Sequence, residues 1–249
     1  MRKADYHAHT TFCDGKSSPE EMVLSAIEKG LEEFGLSGHS YTPFDESYCM
    51  SREGTEEYKK EVLLLKEKYK DKISLKLGIE QDLFSPEKTD AYDYVIGSVH
   101  YFKFGGEYVP VDNNAKTLLE AAEKYCGGDI YALTEKYYEQ VALLKDMRPN
   151  IIGHFDLIMK FNENGELFDK ANERYRKAWQ RAANALLELN VPFEINTGAI
   201  SRGVRTTPYP DDEIYRYLKD RGASFIFSSD SHHKDAVGFG MLDVRCCLD

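Results

Sequence analysis

Two imidazoles stand two residues apart in the segment ADYHAH (residues 4–9), and Asp14 follows shortly after His9. Side chains alternate across an extended strand, so His7 and His9 share one face if this segment is a strand. Two imidazoles with a carboxylate in reach form a donor set for a divalent metal, zinc and iron favouring imidazole and manganese accepting carboxylate. Hydrogen-bonded surface histidines would show the same local pattern, so the positions of the other histidines and acids must decide. His39 ends GLSGH, Glu80 ends KLGIE, His100 ends VIGSVH and His154 ends NIIGH, while Asp230 and His232 end FSSDSH.

The elements that must position these residues are legible as short apolar runs separated by helical patterns. The strand candidates are residues 4–9, 33–39, 73–80, 93–100, 150–156, 192–198 and 223–232. The helix candidates are residues 17–30, 55–70, 129–147, 172–190 and 210–222. The first has a serine cap, Pro19 in its first turn, early glutamates and a closing Gly30. Tyr58, Val62, Leu65 and Tyr69 lie on one helical stripe, as do Ile130, Leu133, Tyr137, Val141 and Leu144. Tyrosines on such stripes, and the single Trp179, read as core packing rather than cofactor contacts.

Seven strands alternating with helices predict a parallel β/α architecture. Six of the seven histidines then fall at the C-terminal end of a strand, and only His233 is left over, as an exposed side chain. In a β/α barrel those strand ends open onto one face, where active sites are built. Closure of the barrel would also bring His7 and His9 beside Asp230 and His232, which an open sheet would keep apart. The expected fold is therefore a closed or nearly closed α/β barrel forming one domain over residues 1–249.

Nine candidate ligands result: His7, His9, Asp14, His39, Glu80, His100, His154, Asp230 and His232. A single tetrahedral zinc uses only three or four protein ligands, so nine imply two or three divalent ions, with zinc, manganese or iron as candidates.

The bulk composition excludes several other classes. The formal net charge of −11 argues against a general polyanion-binding surface, and no nucleic-acid partner is expected. No apolar run approaches a membrane span, and no signal peptide is expected ahead of the first strand. Cys13, Cys49, Cys126, Cys246 and Cys247 show no C-x-x-C spacing, which fits a reducing, cytoplasmic setting. Cys13 lies near the histidine pair and could be a ligand or a nucleophile, although a small buried residue is the commoner role for a free cysteine.

In the order and spacing of H-x-H at His7/His9, GLSGHS, LGIE, SVH, GHFD and SDSH, the sequence resembles the polymerase and histidinol phosphatase (PHP) family of metal-dependent phosphoesterases. That resemblance implies a distorted seven-stranded TIM-like barrel and commonly three metals. It implies one ion held by His7, His9, Glu80 and Asp230, and a second reached by the same Glu80 with His100 and His154. Asp14, His39 and His232 would hold the third; some family members carry histidine where this chain has Asp14, and a carboxylate serves equally as a ligand. GHFDLIMKF and EINTGAISRG resemble the stand-alone histidinol-phosphate phosphatases, which release phosphate from L-histidinol phosphate in histidine biosynthesis.

The chemistry expected on this basis is attack on phosphorus by a metal-activated hydroxide at the Glu80-bridged pair, with Asp230 or a bound water passing a proton. Phosphate also needs cationic donors, for which Arg202, Lys160 and Arg205 follow the sixth and fifth strands. Asp156 and Glu194 could orient ligands from behind, or pair with cations inside the barrel. The loops SYTPFDESYCM and YFKFGGEYVP are expected to wall the site. Competing readings are a nucleotide phosphatase or nuclease, a phosphotyrosine phosphatase and a non-catalytic metal-binding protein.

Overall fold

The computed structural model describes residues 3–243. Cys246 and Cys247 lie outside the described residues. The described residues form nine strands: β1 Ala4–Asp5, β2 Glu33–Leu36, β3 Ser74–Asp82, β4 Tyr94–Ser98, β5 Tyr101–Phe104, β6 Glu107–Pro110, β7 Ile151–Ile152, β8 Phe193–Asn196 and β9 Phe225–Ser228. Seven of them pair in parallel in the order β1-β2-β3-β4-β7-β8-β9, and β5 and β6 form a separate antiparallel hairpin.

The barrel closes just beyond the short first ladder. Ala8 forms a parallel bridge with Ser231. His9 N–H donates to the Ser231 carbonyl at 2.8 Å, and Ser231 N–H donates to the His7 carbonyl at 3.2 Å. His7 and His9 thus flank the bridged residue, and alternation sends both rings to the same side. Asp5 reinforces the seam: fully buried, its carboxylate accepts Ser229 N–H at 3.0 Å and Gly238 N–H at 3.0 Å.

The long helices are α1 Pro19–Glu28, α2 Arg52–Lys68, α3 Ala115–Cys126, α4 Ile130–Ala142 and α6 Glu173–Leu187, with the single-turn α5 Leu144–Met147 between the last two. Each long helix is capped by a side chain on its own sequence, as expected where orphan N–H groups need acceptors. Ser18 and Glu21 form a reciprocal capping box at α1, and Pro19 occupies the first turn. The apolar stripes then decide the packing. Met22, Val23, Tyr58 and Val62 join Phe34 and Leu36 of β2 in one cluster. Tyr137, Tyr138, Trp179 and Leu186 join Phe155 and Phe193 in another, which confirms these aromatics as core. No helix among the described residues is long and apolar enough to cross a membrane.

Two elements depart from the sequence reading. YFKFGGEYVP is not a loop but the hairpin β5–β6, with Phe104 paired to Glu107 across Gly105 and Gly106. Helix α3 was not among the expected helices. Its buried stripe is only Leu118, Ala121 and Ala122, too slight to stand out.

Candidate metal centre

All nine expected ligands meet at the C-terminal mouth of the barrel. Glu80, at the end of β3 and buried, is the hub. Its Oε1 accepts a hydrogen bond from or faces His154 Nε2 at 3.0 Å and lies 3.3 Å from His100 Nε2. Its Oε2 lies 2.8 Å from His39 Nδ1, 3.3 Å from His7 Nε2 and 3.6 Å from His9 Nε2. One carboxylate therefore has a different set of imidazoles at each oxygen. Asp230 Oδ1 lies 3.3 Å from His9 Nε2, joining the last strand to the first. Asp14 faces His232 Nε2 at 3.2 Å and His39 Nε2 at 3.7 Å.

Among the described residues, three groups bring their ligand atoms within 4.8 Å of one another: His9–Asp14–His39–His232, His7–His9–Asp230 and His39–Glu80–His100. His9 and His39 each serve two groups, which the family resemblance alone does not express. Among the described residues the buried atoms His7 Nε2 and His9 Nε2 have no hydrogen-bond partner, and Glu80 Oε2, although 2.8 Å from His39 Nδ1, makes no well-formed hydrogen bond. Leaving such atoms bare is costly, and a cation is the partner that both imidazole lone pairs and a carboxylate can share. The donor set thus fits divalent metal ions.

Glu80, Asp230 and His9 carry the protonation states that ligand roles require, whereas at His7, His100 and His232 the lowering effect of burial is outweighed by neighbouring carboxylates, which raise them above the usual imidazole range. Burial opposes ionisation of Glu80, but His7, His39 and His100 around it hold its carboxyl well below the usual range. Burial likewise opposes the Asp230 charge and is outweighed by Arg202 and His7. His9 is pushed down to about 3 by burial and by the neighbouring His232 and His39, so it is a neutral imidazole.

The supporting residues fix which ring nitrogen points inward. His7 Nδ1–H donates to Glu194 Oε1 at 2.7 Å, leaving Nε2 for the centre. The other Glu194 oxygen accepts the His154 N–H at 3.0 Å, so one side chain aligns two ligands. His232 Nδ1–H donates to the Asp230 carbonyl at 3.0 Å. Glu194→Gln is expected to weaken metal binding about 10- to 100-fold, read by competition against a chelator, with secondary structure retained. Unchanged affinity would deny Glu194 this role.

Gly198 has a steric task here. A Cβ on it would stand 2.6 Å from Asp230 Oδ2 and 2.7 Å from Asp230 Cβ, so the second residue after β8 must be small for Asp230 to sit at the centre.

Asp82 was missed by the sequence reading. It is buried, accepts the His100 N–H at 3.0 Å, and its Oδ2 lies 3.3 Å from His100 Nδ1. A usable signal existed, since Asp82 lies two residues after Glu80 and therefore on the same face of β3.

The expected phosphate donors part company. Arg202 lines the cavity, donating to the Asp230 carbonyl at 2.9 Å and to Asp230 Oδ2 at 3.1 Å. Lys160 sits at the rim, its Nζ 3.0 Å from Oδ2 of Asp112, a cavity-wall residue. Arg205 is corrected: it is buried away from the cavity, donating to the Met159 carbonyl at 2.7 Å and stacking on Tyr209 at 4.6 Å. Its guanidinium braces a loop, because nearby carbonyls take its donors first. Asp156 also lies off the centre and accepts the Asp211 N–H at 2.8 Å. The Cys13 thiol lies 3.6 Å from His9 Nδ1, and burial, aided by Asp14, pushes it up to about 12. It is a neutral thiol at neutral pH, unsuited to nucleophilic attack. His233, expected to be exposed, is half-exposed and accepts the Asp235 N–H.

The cavity above the ligands has a volume of about 410 Å³. Beyond the ligands its walls include Asp45, Tyr48, Tyr101, Asp112 and Arg202.

Relatives share this architecture. The chain is 29% identical to a histidinol-phosphatase of Bacillus subtilis, over 96% of this chain and 97% of the relative. A crystal structure of a Listeria monocytogenes protein superposes with a TM-score of 0.82 at 21% identity, covering 97% of this chain and 99% of that one. The histidinol phosphate phosphatase of Lactococcus lactis, crystallised with zinc, L-histidinol and phosphate, superposes with a TM-score of 0.74 at 23% identity, covering 99% and 92%. Residues 5–198 match the PHP domain model, which spans most of the barrel and seven of the nine expected ligands. The chain belongs to the PHP domain family.

Proposed function

We propose that this protein is a metal-dependent phosphomonoesterase that converts L-histidinol phosphate to L-histidinol and phosphate. The observation that carries the reading is the divided carboxylate of Glu80, with His154 and His100 at one oxygen and His39, His7 and His9 at the other. Such a carboxylate suits a pair of cations, and His9, Asp14, His39 and His232 offer a further position beside it. Divalent ions held there would supply Lewis acidity at the phosphoryl oxygens and acidify water enough for attack near neutral pH. The Bacillus subtilis relative and the bound L-histidinol of the Lactococcus lactis structure support the choice of substrate.

The remaining roles fall to side chains of this chain. Arg202 lines the cavity with a guanidinium that stays charged, so it can donate to a phosphate oxygen while its bonds to Asp230 keep that carboxylate in place. Asp230 is ionised and faces the same space, where it can take up a proton from water or return one to the departing alkoxide. Lys160 pairs with Asp112 and so cancels the charge of a wall carboxylate that would otherwise repel phosphate. Glu194 and Asp82 keep His7 and His100 turned inward.

The deciding experiment is phosphate release by protein reconstituted separately with manganese, zinc and iron. The substrates are L-histidinol phosphate, phosphotyrosine, mononucleotides and a short single-stranded oligonucleotide. The expected result is a preference for L-histidinol phosphate. Preference for a nucleotide or oligonucleotide would keep the centre and overturn the substrate.

A further inference from the structure

The wall of the cavity facing the ligands is built by two segments that meet through their aromatic rings. One is the stretch between β2 and α2, and the other is the β5–β6 hairpin. Phe44 stacks on Tyr108 with centroids 3.6 Å apart and planes 3° from parallel, and Phe44 meets Tyr101 edge-on at 4.9 Å. The contact fixes the two segments against each other and sets Asp45 between them, on the cavity wall.

Among the described residues, Asp45 is held by neutral donors only. Tyr101 Oη donates to its Oδ2 at 2.7 Å, and Ser47 donates to its Oδ1 from N–H at 3.1 Å and from its hydroxyl at 2.6 Å. The other acid of the wall outside the ligand set, Asp112, is by contrast already paired with Lys160. The Asp45 carboxylate is thus rigidly placed while its charge remains uncompensated. Two aromatic rings line the same cavity, Tyr48 and Tyr101, with centroids 6.0 Å apart, and the Tyr48 ring lies 4.8 Å from that of the ligand His39. A carboxylate sharing a cavity with aromatic rings recognises a cation, through charge on one side and the ring quadrupoles on the other.

We propose that Asp45, with Tyr48 and Tyr101, forms a subsite that selects phosphomonoesters whose leaving alcohol carries a positive charge, a protonated amine or an imidazolium. This inference rests on the phosphomonoesterase reading and adds to it the residue that discriminates. Phosphate is engaged at the metal centre and Arg202, and the cationic end of the alcohol is engaged at the far wall. An amino alcohol phosphate satisfies both ends; a phosphate ester of a neutral alcohol satisfies one.

The test compares kcat/KM of metal-loaded protein for L-histidinol phosphate, O-phosphoethanolamine and glycerol phosphate, the last having a neutral alcohol. Hydrogen bonds to charged groups are strong enough that Asp45→Asn should lower the cationic-to-neutral ratio by about tenfold or more, mainly through KM. Tyr101→Phe keeps the charge and the ring but frees one carboxylate oxygen, so the same ratio should fall less. Equal losses on cationic and neutral substrates would mean that Asp45 only holds the loop, and would overturn the subsite. An unchanged ratio would overturn it too. Failure of the unsubstituted protein on L-histidinol phosphate alone would remove that substrate, while the ethanolamine-to-glycerol ratio would still judge Asp45.

Discussion

Glu80→Gln is expected to abolish nearly all phosphate release and to remove bound metal, leaving a folded protein. Glutamine preserves the size and shape of the side chain, so the barrel has no packing reason to fail. What changes is charge and donor character. The carboxylate has an imidazole nitrogen within 3.0 Å of one oxygen and another within 2.8 Å of the other. An amide presents a lone-pair oxygen on one side only, and its NH2 would face one set of imidazoles as a donor. Either orientation leaves one side without a metal-binding oxygen. Loss of Lewis acidity worth several kcal/mol corresponds to roughly three orders of magnitude in turnover.

The metal content distinguishes this account from a purely catalytic role for the glutamate. Elemental analysis of purified Glu80→Gln should show a deficit of at least about one ion per chain, as expected when a bridging ligand is lost. His9, Asp14, His39 and His232 form a group without Glu80, so an ion there could persist. A variant with a full metal complement and full turnover would refute the bridging role.

Much of this centre was legible because its chemistry repeats with the period of the fold. Six of the seven apolar runs carry an imidazole or a carboxylate of the ligand set at or near their ends, and a parallel barrel brings those ends to one place. The i, i+2 spacing of His7 and His9 needed only the alternation of an extended chain, even though the ladder of β1 itself covers just Ala4–Asp5. The same rule applied one step further would have found Asp5 and Asp82, two residues before His7 and two after Glu80.

The residues that were misjudged depend on direction rather than position. Arg205 and Arg202 both follow β8 at a short distance, and nothing in their order says which guanidinium turns to the cavity. The answer came from competing acceptors: the Met159 and Thr207 carbonyls capture Arg205, while Asp230 draws Arg202 inward. The hairpin β5–β6 was hidden by composition. Its aromatics suggested a loop over the site, although Gly105–Gly106 between alternating residues is a hairpin signal. Asp45 acquires meaning only once Phe44 and Tyr108 stack, a contact between segments more than sixty residues apart.

The closing seam of the barrel carries the second large effect. Asp5→Ala is expected to lower thermal stability strongly although residue 5 binds no metal. The Asp5 carboxylate is the acceptor for Ser229 N–H, Gly238 N–H, His7 N–H and the Ser229 hydroxyl. Alanine would leave these donors buried without an acceptor, at about 1–3 kcal/mol for each that cannot find another partner. A combined loss of about 3–5 kcal/mol, at roughly 2–4 °C per kcal/mol for a chain of this size, lowers Tm by about 6–20 °C. Asparagine should rescue little, because its NH2 group would face donors. The seam also joins His7 and His9 to Ser231, between Asp230 and His232, so loosening it should spread the ligands it aligns. Metal stabilises the folded chain by mass action, and the rise in Tm on adding metal should therefore shrink in Asp5→Ala. Melting with and without metal measures both effects together. A normal Tm would show that Asp5 does not hold the seam, and a lowered Tm with an undiminished metal response would show that the seam does not align the ligands.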